Sequence, residues 1–172
     1  MLNEQNPISV PETTKIRIAD EYYKRFMNQT ATGETESNVA NAKNREHREV
    51  FKTDWQRFLW AFILGLNNGE RTKLPPSKDC RTPFGFDVFK NHKKMLDVIF
   101  ALCIQERYKD NPTKLKEDFE LAEKKNENLG TEIRTAMEEY ANTGFAIMSY
   151  RNNEVPGYIE NMEEIVMDIL AE

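Results

Sequence analysis

The stretch FKTDWQRFLWAFILGLNNGERTKL, residues 51–74, is the most apolar part of the chain and runs directly into a polar, basic segment. From Trp55 to Leu66, apolar residues fall on almost every side of a helix. Such a helix is normally buried by several neighbours, so the pattern predicts the central helix of a helical domain. The run is too short to span a bilayer, and it contains the charged Arg57.

Signals at both ends delimit this central helix. Thr53 and Gln56 have the spacing of a capping box, which predicts a helix start at Asp54. The residues before Thr53 are helix-permissive but poor in apolar side chains, so the sequence leaves open whether residues 39–68 form one helix or two. The Asn-Asn-Gly run at 67–69 is a good C-terminal stop, because Asn and Gly tolerate the left-handed conformation.

Four later segments carry apolar residues at helical spacing. The first begins at Asp87 or Asn91 and ends near Lys109. The second is a short, charged helix ended by Gly130, the third begins directly after it, and the last covers residues 158–171. In the third, a glycine at position 144 lies on the apolar face, where it would let a neighbouring backbone approach closely.

The N-terminal part of the chain is expected to be less regular. Residues 15–19, KIRIA, alternate in polarity and predict a short strand, which a short helix follows. Residues 1–14 are expected to form an extended or disordered tail, and the polar segment 30–38 a mobile loop. We therefore predict an all-α fold, with one compact domain over residues 15–172 and five to seven helices around the central one.

Charge is distributed unevenly along the chain. The net charge is −5, with 13 basic and 11 acidic residues in 1–86, and 11 basic and 18 acidic residues in 87–172. The acidic second half argues against wholesale wrapping of nucleic acid, although the first half retains basic stretches. Two cysteines do not form a disulfide framework and the N-terminus has no leader pattern, so a reduced, cytoplasmic protein is expected.

The basic residues of the first half are the candidate binding residues. They recur at short spacing through residues 43–57 and again in 70–86, a long segment with three prolines. Loops longer than about 12–15 residues are uncommon unless they are functional or disordered. Together these cations could contact phosphates, although interleaved acids are equally typical of a solvated helix. The candidates for partner or nucleic-acid binding are Arg45, Arg48, Lys52, Arg57, Arg71, Lys73, Lys78 and Arg81.

No catalytic signature accompanies them. The chain has no GxSxG, GxxxxGK[ST] or GxGxxG motif, and its cysteines and histidines lack the spacing of a zinc site. We therefore predict no catalytic residues, no metal and no cofactor. The carboxylate pairs Glu138-Glu139 and Glu163-Glu164 leave a metal-dependent enzyme as an alternative, although acidic helix faces are usually only solvated.

A second alternative concerns residues 14–29, which resemble the strand-then-helix opening of ribbon-helix-helix DNA binders. In such a unit Lys15 and Arg17 would point into the major groove, while Ile16 and Ile18 would enter a dimer core. The segment that follows is too polar for the second, amphipathic helix of this motif. A small DNA-binding transcriptional regulator is therefore an alternative rather than the preferred function.

Several stretches together resemble one known family. They are KIRIADEYYKRF (15–26), VFKTDWQRFLWAFILGLNNGERTKL (50–74), DVF (87–89) and EEYANTGFAIM (138–148). In this order they resemble a family of small accessory proteins encoded beside DNA phosphorothioation (Dnd) restriction systems. The resemblance implies a cytoplasmic protein of bacterial anti-phage defence. It implies no enzymatic activity and assigns no functional residue.

The expected function is therefore that of a non-catalytic accessory or adaptor protein. Its partners would be protein subunits of a defence or DNA modification complex, with DNA as a further contact and no membrane. The acidic C-terminal half offers one binding surface, and the basic segments 43–57 and 70–86 offer another. The identity of the partner and the oligomeric state do not follow from the sequence.

Overall fold

The computed structural model describes residues 10–27, 53–90, 92–125 and 129–155. Four helices of more than ten residues account for most of these, which confirms the predicted all-α class. The helices are α1 (Asp20–Tyr22), which continues as a π-helical segment Tyr23–Met27, then α2 (Asp54–Asn68), α3 (Lys93–Tyr108), α4 (Pro112–Lys125) and α5 (Gly130–Glu154). No helix in the described ranges is both long and apolar enough to cross a membrane.

Non-helical structure is sparse. Strand β1 (Ile18–Ala19) pairs antiparallel with β2 (Cys80–Arg81), so the strand predicted over residues 15–19 is confirmed at its last two residues. Two 3₁₀ helices cover Ser77–Asp79 and Phe86–Phe89. The predicted loop at 30–38, the helix at 158–171 and most of the predicted tail lie outside the described residues.

Contacts divide the chain into two compact units. The first unit combines residues 1–16 with 82–138, and the second unit combines 17–81 with 139–172. Helix α5 therefore contributes its first residues to the first unit and its remaining residues to the second.

The central helix α2 belongs to the second unit and has the predicted boundaries. Thr53 is extended (φ −138°, ψ 153°), so the helix begins at Asp54 and does not continue backwards through Thr53. The Thr53 N–H donates to Gln56 Oε1 at 3.1 Å, as a capping box requires. Gly69 ends the helix in the left-handed conformation, with φ 73°.

Burial of α2 is extensive but not complete. Phe58, Ala61 and Phe62 are at most 1% exposed, but Ile63 is 38% exposed. Every other apolar residue from Trp55 to Leu66 is buried or partly covered, so the predicted burial on most sides fails only at Ile63. An apolar residue at a partly open position is common, because there is too little polar surface to cover a folded protein.

Two glycines bring α2 and α5 into direct backbone contact in the second unit. A Cβ atom on Gly144 would lie 1.6 Å from the Ala61 carbonyl oxygen, and one on Gly65 would lie 1.9 Å from the Tyr140 carbonyl oxygen. This confirms the predicted close approach at Gly144. We call this contact at Gly65 and Gly144 the glycine seam. Beside it, Phe145 stacks on Tyr22 and Phe26, with ring centroids 5.8 and 5.7 Å apart.

The first unit has its own aromatic core. The Phe86 ring lies 6.1 Å from both Phe89 and Phe100, and all three side chains are buried. Helix α3 begins at Lys93, with His92 at the N-cap position, rather than at Asp87 or Asn91. The reason is that Asp87 belongs to the preceding 3₁₀ helix, which turns the chain before α3 begins.

Candidate functional site

The segment from Glu70 to Arg81, here called the basic loop, joins α2 to β2 in the second unit. Gly69 turns the chain out of the helix at its left-handed φ. Much of the loop is then exposed, with only Leu74, Pro75 and Cys80 partly covered. Four of the eight predicted binding residues lie in this loop: Arg71, Lys73, Lys78 and Arg81.

Thr143 on α5 holds the start of the basic loop. Its hydroxyl accepts a hydrogen bond from the Thr72 N–H at 2.9 Å. The same oxygen lies 3.2 Å from the Glu70 carbonyl and 3.0 Å from the Thr72 hydroxyl. Because a hydroxyl has one proton, it donates to only one of these acceptors at a time. Thr143 is only 6% exposed, whereas Glu70 and Thr72 are exposed, so a buried hydroxyl of α5 holds an otherwise exposed stretch of the loop.

Asn142, the residue before Thr143, holds the loop backbone at Thr72 and Lys73. Its amide Nδ2 donates to the Thr72 carbonyl at 3.4 Å and to the Lys73 carbonyl at 3.3 Å. Asn142 is also 6% exposed, and its Oδ1 has no hydrogen-bond partner within the described ranges. We call Asn142 and Thr143 the polar anchor. Buried polar groups stabilise a fold only when they are hydrogen-bonded, so the anchor depends on the loop staying in place.

The four cations of the loop have different environments. The Arg71 guanidinium lies 5.9 Å from the Tyr140 ring, and its Nε is 3.8 Å from Glu139 Oε2. Lys73 and Lys78 are exposed, and neither forms an ion pair with another described residue. The loop therefore presents two lysines to solvent, beside an arginine directed toward α5.

Arg81 is held at the other end of the loop by Asp20. Its Nε lies 2.6 Å from Asp20 Oδ1, and Lys24 lies 2.5 Å from the other carboxylate oxygen. Hydrogen bonds from Lys24 and then Arg81 hold the pKa of Asp20 below its ordinary value. The hydrogen bond to Asp20 in turn raises the pKa of Arg81. An ion pair thus fixes the end of the loop, as the polar anchor fixes its start.

Of the other predicted binding residues, only Arg57 lies within the described ranges. Arg57 forms an ion pair with Asp54 at 3.2 Å on its own helix, and its side chain is only 13% exposed. It therefore offers little surface to a partner. Burial raises the pKa of Asp54, against the opposing effect of Arg57. Arg45, Arg48 and Lys52 lie outside the described residues.

The two alternative sites have less support in the geometry. Ile16 and Ile18 are 0% and 2% exposed within their own chain, and β1 is paired with β2, so these side chains are not available for the dimer core of a ribbon-helix-helix unit. Glu138 is 1% exposed and lies 3.8 Å from Arg134, whereas Glu139 pairs with Arg71. Within the described ranges, no three acidic, histidine or cysteine side chains cluster as metal ligands would.

The polar anchor was not predicted from the sequence. The available signal was two polar residues, Asn142 and Thr143, directly beside the glycine on a face otherwise made of apolar and aromatic residues. Polar residues on a core-facing stripe generally have a specific hydrogen-bond partner. The sequence does not reveal that this partner is a loop about 70 positions earlier.

The fold and the site define a mainly helical protein with a basic loop anchored by buried polar side chains. The chain belongs to the family described as DNA sulphur modification system-associated protein 4, whose family model matches residues 31–172. This confirms the resemblance to accessory proteins of DNA phosphorothioation systems. The match includes 50–74 and 138–148, which contain the glycine seam and the polar anchor, and begins after 15–26. Neither the curated proteins nor the solved structures contain a match to this chain.

Proposed function

We propose that the protein is a non-catalytic adaptor of a bacterial DNA sulphur modification and anti-phage defence system. It acts in the cytoplasm by binding a protein subunit of that system through the basic loop. Membership of the family supports an accessory role. The observation that carries the binding role is the polar anchor, which uses two buried polar side chains to fix an exposed loop.

The physical argument concerns preorganisation. A free loop of this length would lose conformational entropy on binding, which lowers affinity. Thr143 and Asn142 fix the backbone at Thr72 and Lys73 before a partner arrives. Apolar residues at these two helix positions would be simpler for packing alone, since they need no hydrogen-bond partner. The anchor is therefore best explained by a requirement for one loop conformation.

The charge of the loop indicates the kind of partner surface. Lys73 and Lys78 are exposed, and the nearest acids of the loop, Glu70 and Asp79, are exposed as well. The loop contains four cations and two carboxylates, so its net charge is positive. A loop of this charge fits a mainly acidic protein surface. Electrostatic complementarity of this kind contributes mainly to specificity and association rate.

Co-purification from the native host tests the proposal. Tagged wild-type protein, purified after nuclease treatment so that DNA does not bridge proteins, is expected to recover other proteins of the sulphur modification system. Reversing the loop charge with Lys73→Glu and Lys78→Glu is expected to abolish this recovery. The matched control, Lys114→Glu with Lys124→Glu on exposed α4 positions, is expected to retain it.

Two results would contradict the adaptor function. The first is that wild-type protein recovers no protein of the system. The second is that loop and control variants recover the same proteins in the same amounts. Circular dichroism of both variants establishes that the helices are intact, so that loss of recovery reports the loop surface.

A further inference from the structure

A second basic surface lies in the first unit, separate in sequence from the basic loop. Lys90, His92, Lys93 and Lys94 line one open concavity together with Met95. The four basic side chains are all exposed. We call Lys90, Lys93 and Lys94 the lysine surface. It was not among the binding residues predicted from the sequence, because it falls in the acidic half of the chain.

Hydrogen bonds hold the backbone of His92, which lines the same concavity as the lysine surface. Phe89, at the end of the preceding 3₁₀ helix, is 1% exposed and anchors the turn in the core. Its carbonyl accepts a hydrogen bond from the His92 N–H at 2.8 Å, and the Met95 N–H donates to the His92 carbonyl at 3.0 Å. Lys93 and Lys94 therefore project from the first turn of helix α3, whose backbone is already ordered before binding.

The three lysines of this surface lack direct ion pairs with the described residues. Among the described residues, none of the three lysines forms an ion pair, whereas Lys109 lies 2.8 Å from Glu106 on the same helix. Asp87, the nearest acid on the preceding turn, places its carboxylate against Gly85, where it would clash with a Cβ atom at 2.5 Å. Asp97 lies one helical turn after Lys93 and Lys94, is exposed, and has no ion pair with a described residue.

The position of the lysines also works against helix stability. The N-terminal end of a helix carries a partial positive charge, which favours acidic residues there. The first turn of α3 has no acidic residue, and the His92 side chain does not cap it. Lys93 and Lys94 instead add positive charge at this end. A bound anion would offset the positive charge at this end of α3.

We infer that the lysine surface binds the phosphodiester backbone of duplex DNA. Lysine is a compact point charge without a directional fork, which suits phosphate contacts that do not read sequence. The protein carries a net charge of −5, so its overall field does not attract DNA and the contact has to be local. The family is described as associated with DNA sulphur modification, so DNA is the anion that we expect at this surface. The contact is separate from partner binding through the basic loop.

Fluorescence anisotropy with a labelled duplex tests this inference on the full-length protein. At about 50 mM salt the wild type is expected to bind with a Kd in the micromolar range, independently of sequence. Each phosphate contact contributes about 0.9 to the slope of log Kd against log salt, so Lys90→Ala, Lys93→Ala and Lys94→Ala together lower it by up to about 2.7. The melting temperature is expected to stay equal or rise, because positive charge leaves the helix N-terminus.

A charge-matched control separates this surface from a general charge effect. Lys114→Ala, Lys124→Ala and Lys125→Ala remove the same charge from exposed positions on α4 in the same unit. This control is expected to keep the wild-type salt slope. The inference is overturned if the wild type does not bind duplex DNA, if the lysine-surface variant binds as the wild type does, or if both variants lose binding equally. None of these results bears on recovery of proteins by the basic loop after nuclease treatment.

Discussion

Two adjacent residues of α5, Thr143 and Gly144, hold their neighbours in opposite ways. Gly144 acts by having no side chain, so that the Ala61 backbone can lie directly against it. Thr143 acts through a hydroxyl that bonds the basic loop. The seam between α2 and α5 admits no added atom, whereas the loop contact consists of hydrogen bonds, whose loss costs less. The seam therefore determines the fold, and the anchor determines the conformation of a binding surface.

The largest effect is expected from filling the seam. Gly144→Ala places a methyl group where the Ala61 carbonyl oxygen lies, and the clash is with backbone on both sides, so one helix has to move. Overpacking of this kind costs about 3 kcal/mol at the upper end of its usual range, which exceeds the gain of about 1 kcal/mol in helix propensity. Chemical denaturation of the variant measures the loss.

Gly69 provides the matched control for this prediction. It has a left-handed φ of 73°, but a Cβ atom there would meet no atom within 4 Å. Gly69→Asn is expected to change stability by less than about 1 kcal/mol, because Asn tolerates this conformation. If Gly144→Ala were as mild as Gly69→Asn, the two helix backbones would not be in contact in solution.

Much of this seam was predictable from the sequence. Gly144 lies at helical spacing with Met137, Tyr140 and Met148, which are all buried as expected. The stop at Gly69 and the start at Asp54 were local signals, and both are confirmed. Local signals of this kind are readable because the groups that satisfy them lie within a few residues along the chain.

The candidate site was predictable only in part. The sequence identified the four cations of the loop as candidates, but not that Arg71 and Arg81 have ion pairs with residues distant in sequence. The same limit applies to Thr143, which is 71 positions from Thr72. Periodicity reports which face of a helix is buried, but not which loop covers it. The exposure of Ile63 has the same origin, since the number of neighbours around a helix is a tertiary property.

A smaller effect is expected from removing the hydroxyl of the polar anchor. Thr143→Val keeps the shape of the side chain but leaves the Thr72 N–H without its acceptor at 2.9 Å. The expected loss is about 1 kcal/mol of unfolding free energy, because a partly buried donor loses its partner. Amide hydrogen exchange at Thr72 is expected to accelerate by more than the global stability change accounts for.

Thr135 is the control for this second prediction. It lies on the same helix and donates its hydroxyl proton to the Thr131 carbonyl at 2.9 Å, within the helix itself. Thr135→Val is expected to stay within about 0.5 kcal/mol of wild type and to leave exchange at Thr72 unchanged. Equal exchange at Thr72 in both variants would mean that the loop does not depend on Thr143.

The smallest effect is expected at the far end of the loop, where Arg81 meets Asp20. Arg81→Gln removes one of the two cations on the Asp20 carboxylate and leaves Lys24 in place. The pKa of Asp20 is expected to rise toward its ordinary value without reaching it. Carbon-detected NMR titration of the Asp20 carboxyl measures this change directly. Arg151→Gln, which breaks the exposed pair with Glu154, is expected to leave that pKa unchanged.

The pH dependence of stability follows from the sign of the Asp20 shift. Its folded pKa lies below its unfolded pKa, so the pairs stabilise the fold above the unfolded pKa and lose this effect as pH falls through the folded pKa. The stability difference between wild type and Arg81→Gln is therefore expected near neutral pH and to vanish in acid. A difference that persisted unchanged below the folded pKa would show that Arg81 stabilises the loop by packing its side chain. Charge on Asp20 would then have no part in holding the loop end.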